Sequence, residues 1–213
     1  MLYNPTKRLI DTVSVFVLAI IFSPVLIILP ILIKLQSPGP VLFRHRRVGK
    51  AGKEFYLYKF RSMYHNADQI LLKDKALTQR FKTQSGGWKI PAREDPRITP
   101  IGRFMRKFTF DEFPQLINVL KGEMSLVGPR PYRKDEVGDE IEEQLEKHPH
   151  LREEIKVLLS VKPGITGPWQ TSGRNIIPWD KQIQFGADYA RRHSLFYDLW
   201  IILKTPFAML SKW

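Results

Sequence analysis

Asp111 and Glu112 are adjacent carboxylates in a stretch otherwise dominated by positive charge. Arg97, Arg103, Arg106 and Lys107 precede them, and Phe113-Pro114 follows. Proline fits the first turn of a helix, so Asp111 is expected at or next to a helix N-terminus. One use for an aspartate there is as an N-cap. A second use is chemical. A carboxylate at a helix start, ringed by arginines, stays ionised and lies where phosphate also binds. It can attack phosphorus or hold a divalent metal.

Two further basic groups bear on phosphate chemistry. In Gly128-Pro-Arg-Pro131 two prolines flank Arg130 and fix its backbone. A guanidinium so aimed makes bidentate contacts to phosphate, although a rigid turn with a solvated arginine reads equally well. Lys59-Phe-Arg61 closes a β-prone run and either adds charge at the same place or is an ordinary exposed strand end. His148-Pro-His150 is the one close histidine pair; it lies in an acidic stretch and reads as surface. There is no P-loop and no G-x-G-x-x-G. The chain has no cysteine, which excludes disulfides, thiol nucleophiles and thiolate metal sites.

The elements that must carry these residues can be outlined. Val13 to Ile33 is almost wholly apolar and long enough to cross a bilayer, for which about 20 residues suffice. It lacks the small-residue cleavage site of a signal peptide. Ser23-Pro24 sits at its middle and should break the helix, and Pro30 should break it again. Basic residues flank both ends: Lys7 and Arg8 before, then Lys34, Arg44, Arg46 and Arg47. Since such residues favour the cytoplasmic side, both ends belong there in a re-entrant segment. The residues alone leave that reading and a spanning one open.

Beyond the turn cluster Gln36-Ser-Pro-Gly-Pro40, the runs Val41–Phe43 and Phe55–Tyr58 suit a hairpin about Arg47–Lys53. Apolar spacing predicts helices over 66–81, 104–120 and 179–192. Residues 83–91 and the Pro- and Gly-rich 161–174 read as loops. The acidic stretch 135–159 reads as one or two solvated helices interrupted near Pro149. From Ser194 to Trp213 the chain is apolar but broken by Asp198, Lys204 and Pro206. It suits either a segment lying at a bilayer interface or an amphipathic helix packed on the core. The fold class is therefore α+β, mainly helical, with a small β-hairpin.

The 213 residues are 43% hydrophobic and carry a formal charge of +13. Between Asp135 and Glu154 there are nine acids and two bases, so the remainder, with 32 bases and 12 acids, stands at +20. So basic a surface seeks polyanions: nucleic acid, anionic lipid headgroups or phosphorylated substrates.

Together these motifs resemble the monotopic phosphoglycosyl transferases, the bacterial sugar transferase family, over nearly the whole chain. The resemblance rests on Lys7-Arg8-Leu-Ile-Asp11, Ser23-Pro24, Ser37-Pro-Gly-Pro-Val41, Lys59-Phe-Arg-Ser-Met63, Asp95-Pro-Arg-Ile-Thr99 and Gly102-Arg-Phe-Met-Arg106. It continues through the long block from Asp111 to Pro131, then Lys162-Pro-Gly-Ile-Thr-Gly-Pro-Trp-Gln170 and Ser172-Gly-Arg-Asn175. Ser62 stands where threonine is usual.

The resemblance implies that Asp111 and Glu112 are the catalytic dyad. Asp111 would attack the β-phosphate of a UDP-sugar, release UMP and form a phosphosugar ester. Polyprenyl (undecaprenyl) phosphate would then take the sugar phosphate and begin a surface glycan. Mg2+ would assist at Asp111, with Lys59, Arg61, Arg106, Arg130 and Arg174 at the substrate. It implies a re-entrant helix over 1–36 hinged at Ser23 and Pro24, and a catalytic domain over 37–213 with an interfacial C-terminal segment. The location implied is the cytoplasmic face of the bacterial inner membrane, among anionic headgroups, and a homodimer is compatible with it. Within the family the likeness is to the small form, or to the catalytic domain of the large form without its added N-terminal membrane domain. Two other classes compete. A membrane-tethered nucleic-acid binder has charge in its favour but leaves the dyad idle and lacks a binding signature. A non-catalytic scaffold has no use for an intact dyad.

Overall fold

Asp11, a carboxylate in an apolar helix, shows how the N-terminal segment is anchored. Helix α1 (Tyr3–Ile21) buries only Asp11 and Val15 and exposes Leu9, Val13, Phe16, Val17 and Ile20. Ser125 Oγ donates to Asp11 Oδ2 at 2.7 Å and Leu126 N donates to Oδ1 at 3.2 Å. The computed structural model describes residues 3–75, 78–79, 92–137, 145–146, 148–172 and 177–210. Arg174, the loop expected over 83–91, and Trp213 lie outside them; the helix expected over 66–81 stops at Lys73, where Asp74 takes extended backbone.

Helix α2 (Ser23–Gln36) begins at the Ser-Pro step, with Pro24 in its first turn. The pair α1 and α2 is bent by 65° there. Among the described residues no single helix is long and apolar enough to cross a membrane; the bent pair passes that test only together. Pro30 does not add the expected second break. It lies inside α2, which continues to Gln36. Losing one N–H donor is tolerated there because Leu29 and Ile33, on either side, are buried against Phe60 and Met105.

Strands β1 (Leu42–Val48) and β2 (Glu54–Phe60) pair around a short 3-10 turn, Lys50–Gly52. The hairpin is as expected, but β1 extends through Arg44-His-Arg-Arg47, where the charged run, exposed at Arg44 and Arg46, hides the strand pattern. Next come α3 (Ala67–Lys73), α4 (Pro100–Lys107), α5 (Gln115–Lys121), β3 (Ser125–Val127), α6 (Lys134–Val137), α7 (Leu151–Leu158), β4 (Gly164–Thr166), α8 (Pro168–Ser172), α9 (Trp179–Arg192) and α10 (Leu195–Leu210). The architecture is mainly helical with two small sheets.

Three expectations need correction. The helix predicted over 104–120 is two helices, because Thr109 takes left-handed backbone (φ 60°) and Pro114 follows. The loop predicted over 161–174 contains β4, which pairs parallel with β3 (Ser125 with Gly164, Val127 with Thr166), and α8. Glycines permit this: a Cβ on Gly164 would lie 2.1 Å from Gly128 N. The acidic stretch is not only a solvated face. Val137, Leu145, Leu151, Ile155 and Leu158 pack into a core with Val48, Tyr132, Ile183 and Ala187.

The chain divides into two compact units. One comprises Met1–Ile21, Arg44–Tyr58 and Pro114–Trp213, and its main core joins Val15, Leu57, Val119, Met124, Val127, Tyr189 and Ile201. In it α10 buries Ile201 and Asp198 while exposing Phe196, Leu199, Trp200, Leu203 and Phe207. Both readings of the C-terminus thus describe one helix, packed on one side and apolar on the other. Asp198 holds α10 to α1 and α9. Lys7 Nζ and Tyr3 Oη donate to its Oδ2 at 2.7 and 2.8 Å, and Tyr189 Oη donates to Oδ1 at 2.6 Å. The other unit, Phe22–Phe43 and Lys59–Phe113, carries the acidic pair.

Candidate active site

The acidic pair is held by a strand end, a helix and an aromatic cluster. After β2 the chain runs antiparallel to the segment before α4, through the Met63–Ile98 bridge and the bond from Thr99 N to Ser62 O at 3.1 Å. Thr99 caps α4: its Oγ1 accepts from Gly102 N at 2.9 Å. Gly102 must be glycine, since a Cβ there would lie 1.9 Å from Ser62 O. This flush docking brings Arg106, one turn further along α4, onto Ser62, with Nε donating to Oγ at 2.9 Å. Asp95 receives Arg97 in a fork, Nε at 2.9 Å and Nη2 at 2.8 Å, and also accepts from Arg97 N at 3.0 Å.

Asp111 and Glu112 occupy a 3-10 turn, Phe110–Glu112, entered through Thr109. Asp111 is not an N-cap. The cap position of α5 is Pro114, with no side-chain cap bond. Phenylalanines pin the turn: Phe110 stacks on Phe113 at 5.3 Å and on Phe108 at 5.7 Å, and Phe113 meets Phe22 at 4.8 Å. Lys59 Nζ donates to Glu112 Oε1 at 2.6 Å.

Opposing effects act on the Asp111 carboxyl. Burial pushes the Asp111 carboxyl above its ordinary value, and the Glu112 charge adds to the rise; Lys59, and then Arg106, oppose it. Desolvation in turn lowers Arg106, while Asp111 and Asp95 support its charge. The result is a partly desolvated carboxylate whose charge two cations support.

Of the predicted residues, the structure brings together Lys59, Arg106, Asp111 and Glu112. Arg61 is engaged elsewhere in the same unit: its Nη2 and Nη1 donate to Ser37 O at 2.6 Å and Pro38 O at 2.7 Å, which ties down the turn after α2. Arg130 belongs to the other unit. Its guanidinium pairs with Glu136 at 3.2 Å, bonds Gln182 Oε1 at 3.1 Å and lies 5.2 Å from the rings of both Tyr132 and Trp169. Ser62, Asp95, Thr109 and Gly102 were given no role by sequence reasoning. The available signals were the Asp95-Pro-Arg97 spacing, which suits a local fork, and a glycine early in a helix. His148 and His150 stand 6.1 Å apart, and among the described residues no group of three metal-binding side chains forms.

A carboxylate pair beside a lysine and an arginine, on a turn fixed by aromatic packing, is chemically suited to meeting a phosphate. The family model described as "Bacterial sugar transferase" matches residues 2–212, and the chain belongs to that family. It is 40% identical over 208 residues to "Undecaprenyl-phosphate galactose phosphotransferase" of Salmonella typhimurium, covering 97% of this chain and 40% of that protein. It is 36% identical over 210 residues to "Exopolysaccharide production protein ExoY" of Rhizobium meliloti, covering 97% and 86%. It is 35% identical over 206 residues to "UDP-glucose:undecaprenyl-phosphate glucose-1-phosphate transferase" of Escherichia coli, covering 94% and 39%. The chain thus spans about two fifths of the Salmonella and Escherichia proteins and most of the Rhizobium one.

Proposed function

We propose that this protein transfers a sugar-1-phosphate from a UDP-sugar to undecaprenyl phosphate, giving the polyprenyl diphosphosugar and UMP, and so begins a bacterial surface glycan. The observation that carries the reading is Asp111, half-buried on a pinned turn with Lys59 and Arg106 as its principal cations, in a chain of this family. In the first step a carboxylate oxygen of Asp111 forms a bond to the β-phosphorus. The bond from that phosphorus to the bridging oxygen breaks, and its electron pair leaves on UMP. In the second step an oxygen of the polyprenyl phosphate attacks the same phosphorus and returns the carboxylate. Burial makes Asp111 a poorly solvated nucleophile once ionised, and the cations favour the ionised form.

Glu112 is held by Lys59 and so orients the turn. Asp111 and Glu112 together fit Mg2+, which takes one or two carboxylates and completes its shell with water and substrate phosphates. When bound, the ion neutralises charge on the diphosphate. The protein lies monotopically at the cytoplasmic face of the inner membrane. Support comes from the 65° bend and the apolar residues exposed along α1, α2 and α10.

The test is incubation with UDP-sugar and Mg2+ without lipid acceptor, followed by proteolysis and mass spectrometry. A sugar-phosphate adduct is expected on the peptide holding Asp111, with UMP released in equal amount; Asp111→Asn should give neither. UMP release strictly dependent on acceptor, or full turnover by Asp111→Asn, would refute the covalent scheme.

A further inference from the structure

At the foot of α1, in the unit that does not carry Asp111, a cavity of about 200 Å³ opens. Lys7, Arg8, Lys50, Lys162 and His193 contribute to its wall, with Asp11 the acid among its lining residues. All belong to one compact unit. Lys7 is already neutralised by Asp198 at 2.7 Å. Arg8 donates to Leu120 O at 2.6 Å and to Val119 O, at the C-terminal end of α5. Lys50 and Lys162 have no such engagement: no ion pair or side-chain hydrogen bond joins either ammonium to another described residue. Lys162 is nonetheless half-buried, and Arg8 crowds it. A Cβ on Gly122 would lie 3.5 Å from Lys162 Nζ and 3.8 Å from Arg8 Nη2. Desolvation and then Arg8 hold the Lys162 ammonium below its ordinary value; Asp11 opposes them, and Lys50 adds a lesser lowering. Cations gathered in a partly dry cavity without matching acids form an anion receptacle.

The rim says which anion. The wall includes Tyr3, Lys7 and Arg8 of α1, and the next outward residues of that helix are Leu9, Ile10 and Val13, all exposed. It also includes His193, directly before α10, which exposes Leu195, Phe196 and Leu199. A ligand seated there has a charged end among lysines and apolar surface beside it. The geometry points to a binding site for the phosphate of an anionic phospholipid headgroup, with Lys50 and Lys162 as its principal contacts. This rests on the reading above that α1 and α10 meet the bilayer, and it adds a specific lipid contact within the unit that does not carry Asp111.

The experiment uses the full chain in neutral detergent, titrated with dihexanoyl-phosphatidylglycerol, dihexanoyl-phosphatidylcholine or inorganic phosphate, and reads binding by calorimetry. The wild type should bind the phosphatidylglycerol and prefer it to both other probes. Lys50→Gln/Lys162→Gln should weaken that binding about thirty-fold, from roughly one decade and a half for two lysines at an anionic surface. Arg44→Gln/Arg46→Gln removes equal charge from the exposed hairpin, where both side chains lie over Tyr56, and should stay within about twofold of wild type. Equal loss in both double variants, or equal binding of phosphatidylcholine, overturns the site. Phosphate binding as tight as phosphatidylglycerol overturns the lipid assignment in favour of a soluble anion. UMP release is measured in parallel. If the wild type releases none while the pocket behaves as described, the activity has failed and the pocket stands.

Discussion

Replacing Gly102 by alanine sets two effects against each other. Helix propensity alone predicts a gain, since alanine is better than glycine within a helix by about 1 kcal/mol. Contact geometry predicts a loss. The new Cβ would sit 1.9 Å from Ser62 O, whereas ordinary contact begins near 3.4 Å, so the start of α4 must retreat by about 1.5 Å. The obstacle is a backbone carbonyl held by Thr99 N, so no side-chain rotation relieves it. Overpacking of this kind costs about 1–3 kcal/mol, and against the propensity gain the net expectation is a loss of about 0–2 kcal/mol. The same displacement moves Arg106 off Ser62 Oγ, now at 2.9 Å, and away from Asp111. Misplacement by about 1 Å costs on the order of a hundred-fold in turnover. Urea denaturation in detergent and UMP release at saturating UDP-sugar read the two consequences separately. A Gly102→Ala protein as stable as wild type, with wild-type turnover, would show that α4 does not rest on the Ser62 carbonyl.

Lys59→Met removes the cation that most lowers the Asp111 carboxyl and frees Glu112 to raise it. Turnover needs the ionised aspartate and is lost as pH falls through its pKa, so the acid limb of the pH–rate profile should move to higher pH; a limb that stays in place removes Lys59 from the site. Thr109→Asn puts a residue that tolerates left-handed backbone where a β-branched one sits at φ 60°. Stability should rise by about 1 kcal/mol, and an unchanged urea midpoint would show that the threonine is unstrained. Asp198→Ala strips Lys7, Tyr3 and Tyr189 of their common acceptor. Removing one partner of a buried pair costs about 3–5 kcal/mol, and the lower end applies because Asp11 remains 3.9 Å from Lys7. A loss below about 1 kcal/mol would mean that Asp198 does not clamp α10 to α1.

Local signals in the sequence located the elements that local rules govern. Helix α9 runs over 179–192 as its apolar period indicates, and the hairpin appears where two β-prone runs flank a glycine-containing turn. The misses arise where tertiary packing overrides local preference. Pro30 ends no helix because buried neighbours on both sides hold α2 together. Strand β4 was hidden within a Pro- and Gly-rich segment, since its pairing needs glycines for close approach to Gly128 rather than branched side chains. The acidic stretch reads as solvated when charges are counted. Its apolar residues bury one face, and the charge count does not see them.

The site divides along the same line, and the division has a physical cause. A dyad and its basic neighbours are visible in sequence because residue type and spacing state their chemistry. What holds them is not visible, because it depends on distances between segments far apart in the chain. Arg106 reaches Ser62, 44 residues earlier, only because Gly102 lets two backbones touch. Asp111 sits on a turn, not at a helix start, because Thr109 takes a conformation that a β-branched residue rarely adopts and Phe110 and Phe113 pack around it. The same enclosure changes the chemistry inferred from sequence. Arginines and a lysine beside an aspartate suggest an acid held ionised, yet burial outweighs them and raises its carboxyl. A carboxyl so placed takes up a proton more readily than a solvated one, and Lys59 and then Arg106 limit that rise.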